Sequence, residues 1–102
     1  MNACIIEELK FVFADEKLKE LYRTGKGAHR YPLQVFQKFI LVVDLIREVP
    51  DENALREFRS LRLEKLIGNL KGFSSLRLGR QFRLIIRIEE QVLTLYRIED
   101  YH

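Results

Sequence analysis

The sequence has little cysteine and little histidine, and both shortages exclude chemistry. One cysteine, Cys4, leaves no internal disulfide, and two histidines offer no recognisable zinc spacing. No cofactor and no transition-metal site are expected; a carboxylate-bound Mg²⁺ is the alternative that composition leaves open. Long apolar runs are also missing. The longest, "FILVVDLI", is broken by Asp44 and falls far short of the roughly 20 residues of a membrane-spanning helix. The opening "MNACIIEELK" carries two glutamates and no basic cluster ahead of its short apolar run, so it does not read as a secretory signal. A soluble, cytoplasmic protein with no membrane partner is the expectation. There is no Walker loop, dinucleotide fingerprint or Ser/His/Asp arrangement, and "GNLKG" lacks the strand-to-helix context of a phosphate loop and reads as a turn. Cys4 reads as an idle or buried thiol, and His29, within "GKGAHRYP", as an exposed loop residue.

What is present fits one domain over residues 1–102. The chain has 102 residues, 47% of them hydrophobic and 32% charged, enough for a single core and too few for two. The net charge of +3 is unevenly spread. Residues 1–60 balance ten Lys/Arg with ten Asp/Glu, whereas 62–87 sets Arg62, Lys65, Lys71, Arg77, Arg80, Arg83 and Arg87 against Glu64 alone. Such a cluster suits an anionic partner, nucleic acid being the commonest, or else forms a solvated sheet face.

The hydrophobic pattern predicts the order of elements. "LKFVF" is of strand type, and "ADEKLKELYRTGKG" reads as a helix begun at Asp15 and ended near Gly25. A second helix starts at Pro32, carries a wide apolar face from Val35 to Ile46, and ends before Pro50. Asp51 offers a cap for another turn or two, and "LRLEKLIGNLKG" then reads as an irregular basic connection. Ser74 and Ser75 fall in a strand, where they read as packing and solvent-facing positions. If "GRQ" (79–81) is a three-residue hairpin loop, Leu78 faces Phe82 and Leu76 faces Leu84, which gathers the leucines and isoleucines on one face and Arg77, Arg83 and Arg87 on the other. A two-residue loop would put Arg83 beside Leu76 in the core, where an unpaired charge costs several kcal/mol. "IEEQV" makes the next turn and "VLTLYRIED" returns along the sheet, its two apolar faces leaving the register open. The fold class is α+β, with two or three N-terminal helices packed on a small antiparallel sheet.

That last strand runs into Asp100, Tyr101 and His102, a carboxylate, a phenol and an imidazole beside a row of arginines. Such a set can cleave RNA without metal: one group takes the 2′-hydroxyl proton, another protonates the departing 5′-oxygen, and cations stabilise the charge on the phosphate. The bland alternative is a frayed end.

In "RLEKLIGNLKG", "SSLR", "QFRL" and "DYH", four blocks in order at matching spacing, the chain resembles the HigB-type toxins of the RelE superfamily of bacterial toxin–antitoxin pairs. The resemblance implies a RelE-like compact fold, entry into the ribosomal A site and cleavage of mRNA there. It assigns Asp100, Tyr101 and His102 to the catalytic end, Arg83 to the scissile phosphate, and Lys65 and Arg77 to RNA contact or charge stabilisation. As an exposed strand residue, Arg83 is expected to contribute little to folding. Ile67 stands where a lysine is common, Ser74 replaces an aromatic and Phe82 replaces a tryptophan. The implied partners are a cognate antitoxin, expected to be a helix-turn-helix protein, the 70S ribosome, mRNA, and operator DNA through the antitoxin complex alone. A second reading is a binding module: a ParE-like poison of DNA gyrase that cuts no RNA, or an antitoxin-bound repressor subunit.

Overall fold

A computed structural model describes residues 10–101. Cys4 and His102 lie outside the described residues. The chain forms β1 (Lys10–Phe13), α1 (Glu16–Thr24), α2 (Leu33–Glu48), α3 (Glu52–Arg56), β2 (Glu64–Lys65), β3 (Ser74–Arg77), β4 (Phe82–Glu89) and β5 (Val92–Asp100).

The helix limits follow from local chemistry. Asp15 accepts a hydrogen bond from the Lys17 N–H at 3.0 Å and begins α1, which stops at Gly25, where φ is +80° and a side chain would be strained. Pro32 precedes α2, whose missing N–H is no loss at a helix start. Asp51 caps α3 through the Ala54 N–H at 2.9 Å. The Tyr22 hydroxyl ties α1 to α2, donating to Asp44 at 2.6 Å and accepting from Arg47 at 3.0 Å. The hydrogen bond to the Tyr22 oxygen, with the nearby carboxylates of Asp44 and Glu48, raises the Arg47 pKa above its ordinary value.

Helix α2 is the main lid of the core. Val35, Phe39, Val42, Val43 and Ile46 are buried against Leu76, Leu84, Ile86, Leu93 and Leu95 of the sheet. Each such side chain stabilises the fold by about 1.5–3 kcal/mol relative to exposure.

The strand order is β1-β5-β4-β3-β2. The α+β class is as expected, with one difference in the sheet: β1 runs parallel to β5, Phe11 beside Leu93 and Phe13 beside Leu95, so the sheet is mixed. Parallel neighbours need a long crossover, which the helices and the β2–β4 stretch supply. The connection expected to be irregular also holds a short strand, β2, whose Glu64 and Lys65 pair with Ser75 and Ser74.

The hairpin has the expected register. The Leu78 N–H donates to the Phe82 carbonyl at 2.9 Å, Leu76 lies opposite Leu84, and Arg77 lies opposite Arg83. Between β4 and β5 the pairing shifts, from Ile85 with Arg97 to Ile86 with Leu95, leaving Tyr96 as an extra residue. This bulge lets Leu95 and Ile98, three positions apart, both join the helix-side core.

Candidate functional site

The helices pack on one face of the sheet, and strand alternation carries Ser75, Arg77, Arg83, Ile85 and Arg87 to the other. Ile85 is fully buried there, flanked in register by Ser75 and Arg97, so this second face is roofed by long polar side chains over an aliphatic floor.

Arg83 is the most constrained of them. Its Nε donates to Ser75 Oγ at 2.6 Å, its Nη2 donates to the Arg62 carbonyl at 2.7 Å, and Glu64 lies 3.8 Å from the same Nη2. Its side chain is only 15% exposed. The expectation of an exposed arginine with little part in folding is therefore corrected: Arg83 fastens β4 to the turn before β2. That turn needs fastening, because Arg62 sits at φ +47°, a conformation that costs a non-glycine residue energy. Hydrogen bonds to a charged group contribute about 1.5–3 kcal/mol each where screening is weak.

The other expected residues are spread over the face, its rim and the opposite side of the sheet. Arg77 stands directly opposite Arg83 and donates from Nε to the Gly79 carbonyl at 3.2 Å, so two guanidinium groups share one end of the face. Arg80 in the hairpin loop, and Lys71 and the Arg62 side chain, are exposed around its rim. Arg87 lies four residues along β4, paired with Glu89 at 3.0 Å. Lys65 and Asp100 do not share this register. Lys65 is level with Ser74, which lies opposite Ile86, and Asp100 is opposite Phe82, both helix-side positions, while Glu64 and Glu99 occupy the arginine side. Glu99 is opposite Arg83 and bonded to Arg97 at 2.6 Å. Tyr101 continues the pairing through its N–H to the Gln81 carbonyl and is exposed, alternation carrying it to the side of Glu99 and Arg83.

Glu99 went unmarked in the sequence, Glu64 entered as the lone acid of the basic stretch, and Ser75 was read as a packing or solvent-facing position rather than a site residue. Ser75 carried a signal: it is two residues from Arg77 on a strand, hence on the same face, and a small hydroxyl there is a natural acceptor for a neighbouring guanidinium.

The site is a surface, not a cavity. A cavity of about 320 Å³ lies between α1, residues 26–31 and the end of β5, with Lys17, Glu20, Lys26, Arg30 and Arg97 around an apolar floor of Leu18, Leu21 and Ile98. Its mixed charge offers no focus for an anion. Among the described residues no group of three or more His, Cys, Asp or Glu is placed to hold a metal ion, and none of their helices is long and apolar enough to cross a membrane.

Residues 11–102 match a family model described as the RelE-like toxin of the type II toxin–antitoxin system HigB. The chain belongs to the HigB-like toxin family. Toxin HigB-1 of Vibrio cholerae serotype O1 (strain ATCC 39315 / El Tor Inaba N16961) is 31% identical over 75 residues, which are 74% of this chain and 79% of that toxin. The HigB-like fold extends to solved structures of much lower identity. YafQ from E. coli strain BL21(DE3) has a TM-score of 0.56 at 14% identity, covering 91% of this chain and 93% of that one. A chain of a YoeB–YefM complex from Staphylococcus aureus has a TM-score of 0.53 at 20% identity, covering 93% of this chain and 98% of that one. The α+β architecture of three helices on a five-stranded sheet is thus a fold shared with these proteins, and membership of the HigB-like family makes this chain a toxin of a toxin–antitoxin pair.

Proposed function

We propose that this HigB-like toxin enters the ribosomal A site and cuts the mRNA there, with the adjacent 2′-hydroxyl as nucleophile. One observation carries the reading: the Arg83 guanidinium, held at Nε and Nη2, is fixed beside Arg77 at the end of the sheet where β5 leads into Tyr101. A preorganised cation pays no reorganisation when charge develops on a phosphate, which is the arrangement that accelerates phosphoryl transfer.

In this reaction the 2′-oxygen attacks phosphorus and loses its proton to a base, the bond to the 5′-oxygen breaks, and an acid returns a proton to that oxygen. A 2′,3′-cyclic phosphate and a 5′-hydroxyl result. His102 and Tyr101 supply the two proton transfers, and Arg83 and Arg77 hold the non-bridging oxygens. Asp100, on the helix-side register, acts on its neighbours in the chain rather than on the phosphate. Lys65, at the sheet edge, and Arg62, Lys71, Arg80 and Arg87 hold the RNA. No cofactor enters the reaction. The partner that silences the toxin is a cognate antitoxin, in keeping with the YoeB–YefM complex among the structural relatives, and operator DNA is reached through that antitoxin. The compartment is that of the ribosomes, the cytoplasm.

Single-turnover cleavage on programmed ribosomes tests this. The expected result is cutting of the translated message and little or none of the same RNA free in solution. Equal cleavage of both overturns ribosome dependence, and intact messages with relaxed DNA would make the protein a gyrase poison.

A further inference from the structure

The far end of the arginine face is built differently from the end that holds Arg83. Phe73 and Tyr96 meet edge to face, ring centres 4.9 Å apart, and the Arg87 guanidinium lies over the Phe73 ring, 5.5 Å from its centre. Neither ring belongs to the helix-side core, and both are half-buried. Tyr96 is the extra residue of the β5 bulge, a distortion that re-aims a side chain. Among the described residues Arg87 Nε is buried without a hydrogen-bond partner, although its Nη2 is engaged by Glu89. Two aromatic rings and a planar cation, set on a basic sheet face and not needed to fill the core, form the kind of surface on which unstacked bases rest.

We propose that Phe73, Tyr96 and Arg87 form a stacking subsite for one nucleobase of a bound single-stranded RNA. The inference rests on the reading of this face as the RNA-cutting site and adds to it a position at which a base is gripped. Arg83 and Arg87 are four residues apart on β4, about 13 Å at the usual strand rise. At about 3.4 Å per stacked nucleotide, and roughly twice that when the strand is drawn out, the gripped base lies about two to four nucleotides from the phosphate at Arg83. The subsite recognises a π face rather than a hydrogen-bonding edge, so it tolerates any base and rejects a missing one.

The test uses Phe73→Leu and Tyr96→Leu, which keep apolar bulk and remove the ring. Fluorescence anisotropy at low ionic strength compares a labelled RNA heptamer with versions carrying one abasic nucleotide at each position in turn. The wild type should lose about fivefold or more in affinity at one position. Each leucine variant should bind the intact heptamer that much more weakly and be indifferent to the abasic change there. Single-turnover cleavage on ribosomes programmed with messages abasic at each nucleotide around the cut should show the same pattern, with the sensitive position two to four nucleotides away. Leucine variants that bind and cleave within twofold of wild type, or that stay as sensitive to the abasic change, overturn the subsite. Failure of the wild type to cut any message would instead overturn the nuclease reading, and the heptamer titration would still decide whether a base is stacked.

Discussion

Arg83 and Ser75 are joined across β4 and β3 by a 2.6 Å hydrogen bond whose acceptor side chain is wholly inaccessible to solvent. A buried hydroxyl bound to a guanidinium makes the proposed catalytic cation a structural one as well. Arg83→Ala strands Ser75 Oγ and frees the Arg62 turn, so urea unfolding should show a loss of about 1–3 kcal/mol along with the loss of cleavage. Arg83→Lys keeps the charge but not the fork, and should recover part of the stability and little of the activity. A variant as stable as wild type would mean that these bonds contribute nothing net.

Salt dependence measures how many cations touch RNA. If the face binds phosphates, the logarithm of ribosome affinity should fall linearly with the logarithm of salt concentration. Arg77→Ala and Arg80→Ala should each reduce that slope by about 0.7, the counterion release of one single-strand contact. Slopes unchanged in both variants would remove these residues from the RNA path.

Proton transfer should separate from folding at His102. His102→Gln retains size and polarity without an imidazole, and single-turnover cleavage should slow on the order of a hundredfold or more with little change in melting temperature. Cleavage at the wild-type rate would shift the proton transfers to Tyr101 and Asp100.

The β4–β5 turn offers a gain of stability. Glu90 and Gln91 both have positive φ, +49° and +68°, in a two-residue loop closed by the pair Glu89 and Val92. Such a turn favours Asn-Gly. The double substitution Glu90→Asn, Gln91→Gly should raise stability by about 1 kcal/mol in urea unfolding and leave cleavage unchanged, since the turn lies at the opposite end of β4 from Arg83.

Sequence reasoning succeeded where a wrong choice would have been expensive. The 79–81 loop was legible because the other register sets Arg83 unpaired beside Leu76 in the apolar core, and the helix ends because Asp15, Gly25, Pro32 and Asp51 act on their own neighbours. It failed where the deciding information was distant or the pattern too short. A four-residue apolar strand names no partner, so the parallel pairing of Phe11 with Leu93 was invisible. Glu64 and Lys65 carry no alternation at all. The register of β5 was hidden by the bulge at Tyr96, which breaks the two-residue parity that the reading relies on. At the site, alternation told which arginines share a face but not what lies across from them, and the burial of Arg83 against Ser75 followed from that missing neighbour.

The pairing of β1 with β5 ties residues 10–13 to residues 92–95. Such contacts close loops of about eighty residues, and folding dominated by distant partners is slow. While the chain is being made, β1 has no neighbour until β5 has been synthesised, and β4 has one edge unmatched over its whole length. A polypeptide interrupted before residue 92 can build α1 and α2 but cannot complete the sheet that holds its arginines in line. The order in which the chain is written therefore leaves the arginine face unassembled until its last strand is made.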